Sequence, residues 1–170
     1  LGIGNTQNKK SFVPVLMQNG SPLTGINKVV ASKNTSFAID VNGNIYAWGD
    51  GYTKFAQLIN LKDASGNAVS DNVVDISKTY YLNEDGIVKK LSDCSVVTTK
   101  EPIMQISEGE DHTIFLGESQ KAYSIGANVY GQLGDGSTLG KPDQVTDVLT
   151  SENTPLEGIQ SIKAGNKFSI

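Results

Sequence analysis

The chain has 170 residues, of which 38% are hydrophobic and 19% are charged, a composition typical of a folded globular protein rather than a disordered one. Its 14 basic residues are all lysine, and its 18 acidic residues bring the net charge to -4. Because arginine supplies the planar fork that recognises phosphate and guanine, its absence argues against nucleic-acid binding.

The sequence also argues against a membrane-spanning protein and against one held together by disulfides or by a thiolate metal site. No apolar run approaches the roughly 18 residues that a membrane helix needs, so we predict no membrane span. Cys94 is the single cysteine, which rules out an internal disulfide and a four-thiolate metal site. We expect Cys94 to be a small apolar core residue.

The chain repeats itself from its first residues onward. Residues 1–6 read LGIGNT and match LGDGST at residues 133–138, and each phrase precedes a polar stretch that contains proline. Apolar residues then open the successive units, Val30, Ile76, Ile106 and Ile162, at spacings of 46, 30 and 56 residues, of which the middle one is short. Such self-similarity at a period of about 40 to 50 residues is typical of β-propeller blades.

Within each unit the pattern is strand, tight turn, strand. The runs SFAIDV and NIYAW flank Asn42-Gly43, and TYYLN and IVKKL flank Asp85-Gly86. Asn-Gly and Asp-Gly between β-branched or aromatic runs are strong hairpin signals, because both turn positions tolerate positive φ. No helical period is sustained, so the predicted class is all-β, with blades of antiparallel four-stranded sheets.

The predicted boundaries follow from these units. Residues 1–25 are the end of one repeat, 26–72 a repeat, 73–102 a short degenerate repeat, 103–158 a repeat and 159–170 the start of another. The degenerate unit has Leu91 and Ser92 where the preceding one has Trp48 and Gly49, and it lacks a GQLG phrase. We therefore expect its blade to be short or to miss a strand.

Three phrases in one unit carry a family resemblance: GEDHT at 109–113, AYSIGAN at 122–128 and YGQLG at 130–134. In this order they resemble the regulator of chromosome condensation repeat, in a bacterial-type member. The resemblance implies a seven-bladed propeller, of which about three blades are present here. A partial propeller leaves apolar blade faces bare, so we expect the missing blades to come from a longer parent chain or from self-association.

Candidate catalytic and metal-binding groups each have a simpler structural explanation. His112 is the single histidine, which excludes a histidine-pair metal site, and the resemblance implies that it hydrogen-bonds within the blade. DVNGN at 40–44 lacks the glycine and glutamate spacing of a calcium loop and is predicted to be a turn. The glycines of GQLGDGST lack the lysine and the helix of a phosphate loop. We predict no cofactor, no bound metal and no catalytic residue.

The acidic residues Glu108, Glu110 and Asp111 are expected to form a solvated loop. Trp48 and Tyr123 are expected in the core, and Tyr130 is expected to be structural because the resembled family often has an aromatic there. The loop DGYTK at 50–54 contains two extra residues, and loops carry the binding surfaces of propellers. Asp50, Tyr52 and Lys54 are therefore the predicted binding residues.

The predicted function is a non-catalytic protein-interaction module whose loops bind another protein. The resemblance implies an alternative, a regulator of an enzyme partner, acting by nucleotide exchange on a small GTPase or by inhibition of a β-lactamase-like enzyme. Composition and resemblance favour a bacterial surface or secreted location over a cytoplasmic one.

Overall fold

The computed structural model describes residues 1–32 and 34–170, and their regular structure is β-strand. No helix in these ranges is long and apolar enough to cross a membrane. The strands are β1 (Ile26–Ser32), β2 (Thr35–Asp40), β3 (Ile45–Gly49), β4 (Gln57–Ile59), β5 (Val73–Ile76), β6 (Tyr80–Asn83), β7 (Val88–Lys90), β8 (Ile103–Glu108), β9 (His112–Gly117), β10 (Ala122–Gly126) and β11 (Lys141–Asp147).

These strands form three antiparallel sheets, here called blades A, B and C. Blade A has the order β1-β2-β3-β4, blade B β5-β6-β7, and blade C β8-β9-β10-β11. Blades A and C confirm the predicted four-stranded all-β units. Blade B has three strands, with a single bridge between Lys89 and Val96 at its outer edge, which confirms the shortened third unit.

The predicted hairpin turn at DVNGN is organised by one carboxylate. Asp40 Oδ1 accepts from the backbone N–H groups of Asn42 and Asn44, and Oδ2 accepts from the Asn44 amide at 2.8 Å. Burial raises the pKa of Asp40, but these hydrogen bonds outweigh it and hold that pKa below its usual range. The segment is therefore a turn, as predicted, because its acidic side chain is already satisfied by its own backbone.

The glycines of these turns also set the spacing between blades. A Cβ on Gly43 would lie 2.9 Å from the backbone nitrogen of Val73, and one on Gly86 would lie 2.7 Å from Pro102 Cβ. The chain at the start of β5 and of β8, the first strands of blades B and C, is thus packed on the turn of the previous blade. A glycine is required at both places for its positive φ and for this close approach.

The strands nearest the central axis are linked by side chains that cross from blade to blade. Asp75 of blade B accepts from the Ile106 N–H of blade C at 3.1 Å and pairs with Lys28 of blade A at 2.7 Å. Gln105 of blade C bonds both the N–H and the C=O of Ile162 in the next segment. The inner strands are therefore held together although their backbones do not pair in a sheet.

The apolar core lies between the blades. Phe37 and Ile39 of blade A pack with Ile76 and Tyr81 of blade B in one cluster. On the opposite side of blade B, Tyr80 meets Phe115 of blade C edge-on, with ring centroids 6.0 Å apart. Each sheet thus buries both of its surfaces, which explains why consecutive residues of β6 and β9 are buried.

Strand pairing corrects one detail of the predicted repeat. Val29 pairs with Ala38 in blade A, and Ile106 pairs with Phe115 in blade C, so nine residues separate the partners in both. Val29, rather than Val30, is therefore the equivalent of Ile106. In blade B only five residues separate Ile76 from Tyr81, so this hairpin is shorter. The chain compensates for the missing residues through contacts from blade C, described below.

The phrase YGQLGDGST folds around a fully buried amide. Asn128 Oδ1 accepts from the Leu133 N–H at 2.9 Å, and its Nδ2 donates to Asp135 Oδ1 at 3.0 Å. Asp135 Oδ2 in turn pairs with Lys141 at 2.6 Å, which ties the loop to β11. The phrases LGIGNT and LGDGST are equivalent in the structure, as predicted. The Gly2 carbonyl accepts a hydrogen bond from the Leu16 N–H at 2.7 Å, and the Gly134 carbonyl accepts one from the Leu149 N–H at 2.7 Å.

Replacing Gly86 by alanine is expected to destabilise the protein more than replacing Gly66. Both residues have φ near +80°, but a Cβ at Gly66 would meet nothing within 4 Å. Left-handed strain costs about 1 kcal/mol at either position, and overpacking against Pro102 adds about 1–2 kcal/mol at Gly86. Urea unfolding of the two variants tests this, and equal losses would show that the turn does not hold the blades at this distance.

Acid is expected to weaken the Asp135 network within a defined pH window. Burial opposes ionisation, but hydrogen bonds from Lys141 and Ser137 prevail and lower the pKa of Asp135 from 3.8 to about 2. The ion pair therefore stabilises the fold fully above pH 4 and progressively less as the pH falls toward 2, by about 2 kcal/mol in total. Between pH 4 and 2, the free energy of unfolding in urea should fall more in the wild type than in D135N. An equal fall in both proteins would show that the Asp135 carboxylate does not stabilise the fold.

Candidate functional site

The two ends of the blades present different surfaces. We call the end that carries the β1–β2 and β3–β4 connections, and their equivalents in blades B and C, the loop face. The opposite end, which carries the β2–β3 turns and their equivalents, is the turn face. The predicted binding loop at 50–54 connects β3 to β4 and therefore lies on the loop face.

Tyr52 is a half-buried aromatic at the junction of blades A and B. Its ring meets Phe37 edge-on at a centroid distance of 5.9 Å, and it packs beside the apolar cluster between the blades. Burial raises the pKa of the Tyr52 hydroxyl above its usual value, so the phenol stays neutral and can donate a hydrogen bond. One side of the ring is thus anchored while its remaining surface is open.

The backbone of the same loop is tied down at both ends. The Asp50 N–H donates to Asn34 O at 3.0 Å, and the Asp50 carbonyl accepts from Thr35 Oγ1 at 2.8 Å. The Lys54 carbonyl accepts from the Gly4 N–H at 3.0 Å. The Asp50 and Lys54 side chains are exposed, so they flank Tyr52 on a loop whose backbone is held in place.

A cavity of about 460 Å³ opens beside Tyr52. Asp50 and Lys54 do not contribute to its lining, so the structure brings Tyr52 together with residues of blades B and C instead. The other lining residues are Lys78, Thr79, Leu91, Ser92, Glu108 and Glu110. Sequence reasoning missed this set because its members lie 26 or more positions from Tyr52 and share no motif with it.

The acidic residues of this cavity are not all solvated as expected. Glu108 accepts from the Thr79 N–H at 2.9 Å and from Thr79 Oγ1 at 2.6 Å, so it bridges blade C to the short hairpin of blade B. Glu110 donates its backbone N–H to Asn166 O at 3.0 Å. The carboxylate of Glu108 is therefore a fixed wall of the cavity, whereas the solvated-loop prediction treated it as free.

Tyr130 differs from its predicted structural role. Its side chain is 65% exposed on the loop face, and Lys167 lies over the ring at 4.6 Å from the centroid. Such a cation–π pair keeps an aromatic ring oriented without burying it. The expected core residues Trp48 and Tyr123 are buried, as predicted, and half-buried Cys94 packs against the core between blades A and B.

His112 is a buried structural residue that links blade C to the following segment. Its Nε2 lies 3.0 Å from Ser169 Oγ, and Ser169 Oγ donates its own proton to Gln132 O at 2.9 Å. Nε2 is therefore the donor of the first contact, and Nδ1 has no hydrogen-bond partner among the described residues. A histidine that donates to a serine cannot act as its general base, so this pair is not a nucleophilic site.

Metal ligands do not converge within the described ranges. Residues 1–32 and 34–170 contain no group of three or more His, Cys, Asp or Glu side chains that could hold a metal ion. The loop face presents a neutral phenol, an aromatic ring paired with a lysine, and the Glu108 carboxylate held in place by Thr79.

The class of protein follows from these observations: three consecutive antiparallel blades around a common axis make a β-propeller repeat protein. Comparison with known proteins then shows which repeat the chain carries and which proteins it is similar to. Residues 120–170 match the model of the regulator of chromosome condensation (RCC1) repeat. Human protein RCC2 is 24% identical over 171 residues, which cover 100% of this chain and 31% of RCC2.

Two solved structures are similar in fold. Human WBSCR16 superposes with a TM-score of 0.59 at 14% identity, covering 85% of this chain and 43% of that protein. Prp20p of Saccharomyces cerevisiae superposes with a TM-score of 0.55 at 15% identity, covering 86% of this chain and 43% of Prp20p. Residues 120–170 therefore carry an RCC1 repeat, and the chain as a whole is similar to RCC1-repeat proteins in sequence and in fold. It spans about a third of the length of the curated relative RCC2.

The buried imidazole is expected to make stability fall on mild acidification. Burial lowers the pKa of His112 below its ordinary 6.5 and outweighs the opposing effects of the Phe168 backbone and of the Asp111 and Glu108 charges. The unfolded chain therefore binds the proton first, so stability that is complete above pH 6.5 is lost below it. The free energy of unfolding in urea, measured from about pH 7.5 to 5.5, should fall in the wild type and not in H112Q. The same dependence on pH in both proteins would contradict the role of His112.

Proposed function

We propose that this chain is a non-catalytic protein-binding module and that its loop face, with Tyr52 at the centre, contacts the partner. The observation that carries the proposal is the environment of Tyr52. One edge of its ring is fixed on Phe37, and the rest borders an open cavity with charged walls. Anchored aromatics beside polar groups are the usual energetic centres of protein interfaces.

The rigidity of the surrounding backbone supports this proposal. Loop residues that are already hydrogen-bonded, such as Asp50 and Lys54, lose little conformational freedom when a partner binds. Their exposed side chains carry opposite charges on either side of Tyr52, which favours a partner whose surface also carries both signs. Tyr130 and Lys167 extend the same face toward blade C.

The relatives support the general class of activity. The yeast protein Prp20p binds Gsp1p and histones, and a second solved structure contains Kap60 bound to the same yeast protein. Protein binding is therefore a property of a propeller with this fold. We propose only this general activity, protein binding, for the present chain, because it covers less than half of Prp20p.

A binding panel tests the proposal. The purified chain is immobilised and exposed to a set of small GTPases, a set of β-lactamases and bacterial cell-wall extract, by biolayer interferometry. Binding to a β-lactamase or a cell-wall protein would support an interaction module. Binding to the GTPases alone, with accelerated nucleotide release, would favour the alternative regulator of nucleotide exchange and overturn the preferred proposal.

Substitutions on the loop face should weaken binding to whichever partner the panel identifies. Tyr52→Ala is expected to raise Kd by about 10-fold or more, since interface aromatics contribute about 2 kcal/mol, and Asp50→Lys or Lys54→Glu by less. Phe12→Ala is the matched control, because Phe12 is a fully exposed aromatic outside this cavity. Tyr52→Phe separates the hydroxyl from the packing on Phe37. Unchanged affinity of Tyr52→Ala, with folding verified, would contradict the site.

A further inference from the structure

The turn face carries a second surface, created by one irregularity that recurs in every blade. Each inner strand has a register shift near its start, between Ile26 and Lys28, between Val73 and Asp75, and between Ile103 and Gln105. The unpaired extra residues are Asn27, Val74 and Met104. A β-bulge of this kind turns a side chain away from its regular alternation.

In blades B and C the bulge exposes an apolar side chain to solvent. Val74 is 45% exposed and Met104 is 59% exposed, although Val73, Asp75 and Ile103 beside them are buried. Both side chains border one groove of about 590 Å³ that runs between blades B and C. Leu82, Pro102 and Ile103 complete its apolar lining.

The rim of this groove is acidic. Glu84, Asp85 and Glu118 line it and are exposed, and no lysine is among its described lining residues. Asn72 donates to Glu84 at 2.7 Å and Asn83 donates to Asp85 at 3.3 Å, so two of the three carboxylates are held in place. A neighbouring groove between blades A and B shares Val74 and Glu84 and adds Asp40. Lys28 also lines this neighbouring groove, where it pairs with Asp75, so the acidic rim without a lysine is that of the groove between blades B and C.

We infer that this turn-face groove docks an extended segment of a partner protein in which an aliphatic side chain is flanked by lysine or arginine. The aliphatic side chain packs on Val74 and Met104, and the flanking cations meet Glu84, Asp85 and Glu118. Apolar contact supplies affinity, and charge complementarity selects the partner. The surface lies at the opposite end of the blades from Tyr52, so the inference does not depend on the loop-face proposal.

Two other occupants fit the surface less well. An anionic lipid surface would be repelled by the carboxylate rim. A divalent cation would need converging ligands, and residues 1–32 and 34–170 contain no suitable group of three. A basic, amphipathic peptide segment satisfies both the apolar lining and the charge.

The two methionines of the chain allow a direct test. In protein labelled with ¹³C at the methionine methyl groups, Met104 reports on the groove, and Met17, in the segment before β1, is an internal control. The probe is the peptide acetyl-Lys-Lys-Leu-Lys-Lys-amide, compared with Glu-Glu-Leu-Glu-Glu and with Lys-Lys-Gly-Lys-Lys. We expect saturable shifts of the Met104 signal with the first peptide and none at Met17.

The acidic peptide should leave Met104 unchanged, and the glycine peptide should bind at least about fivefold more weakly because it lacks the apolar side chain. Equal shifts of the Met104 signal with the glycine and leucine peptides would show that the peptides bind by charge alone, and this would overturn the inference. Shifts at both methionines, or at neither, would overturn it as well.

A charge-reversal pair separates the groove from the overall charge. Glu118→Lys places a cation on the rim and should raise Kd for acetyl-Lys-Lys-Leu-Lys-Lys-amide about fivefold or more. Glu152→Lys makes the same change on an exposed residue outside the groove and should alter Kd by less than about twofold. Equal effects of the two variants would refute a localised site. Neither substitution touches Tyr52, so a failure here leaves the loop-face proposal standing.

Discussion

The structure depends on burying both surfaces of every sheet, against a neighbouring blade or against the flanking segments 1–25 and 159–170. Phe37 and Tyr81 fill the layer between blades A and B, and Tyr80 and Phe115 fill the layer between blades B and C. A single sheet of three or four strands has no interior of its own, so its stability comes from these layers. The contacts between adjacent blades are thus as necessary as the hydrogen bonds within them.

This constraint explains where binding surfaces arise. Because the broad surfaces of the sheets are used for packing, the loops and turns at the two ends of the blades are the main surfaces open to a partner. The loop face offers Tyr52, anchored on Phe37 and open to a cavity, and the turn face offers Val74 and Met104 on a groove with an acidic rim.

The shortened blade B shows how the fold accommodates variation in a repeat. Its hairpin lacks four residues relative to blades A and C, and the carboxylate of Glu108 reaches across from blade C to bond Thr79. The same bridge forms a wall of the cavity beside Tyr52. A degenerate repeat has therefore shaped a candidate binding site.

The sequence by itself determined the class, the hairpins and the burial of Trp48 and Tyr123. Asn42-Gly43 and Asp85-Gly86 mark turns because their conformation depends on residues four positions apart or fewer, and Trp48 and Tyr123 are buried because strands with aromatic residues pack against other sheets. Tertiary structure alone decided the bulges at Val74 and Met104, the exposure of Tyr130 and the cavity around Tyr52. These features arise from contacts such as Asp75 with Ile106 and Glu108 with Thr79, whose partners are 31 and 29 residues apart. Local patterns carry no information about such pairs, because their geometry is set by how the blades pack.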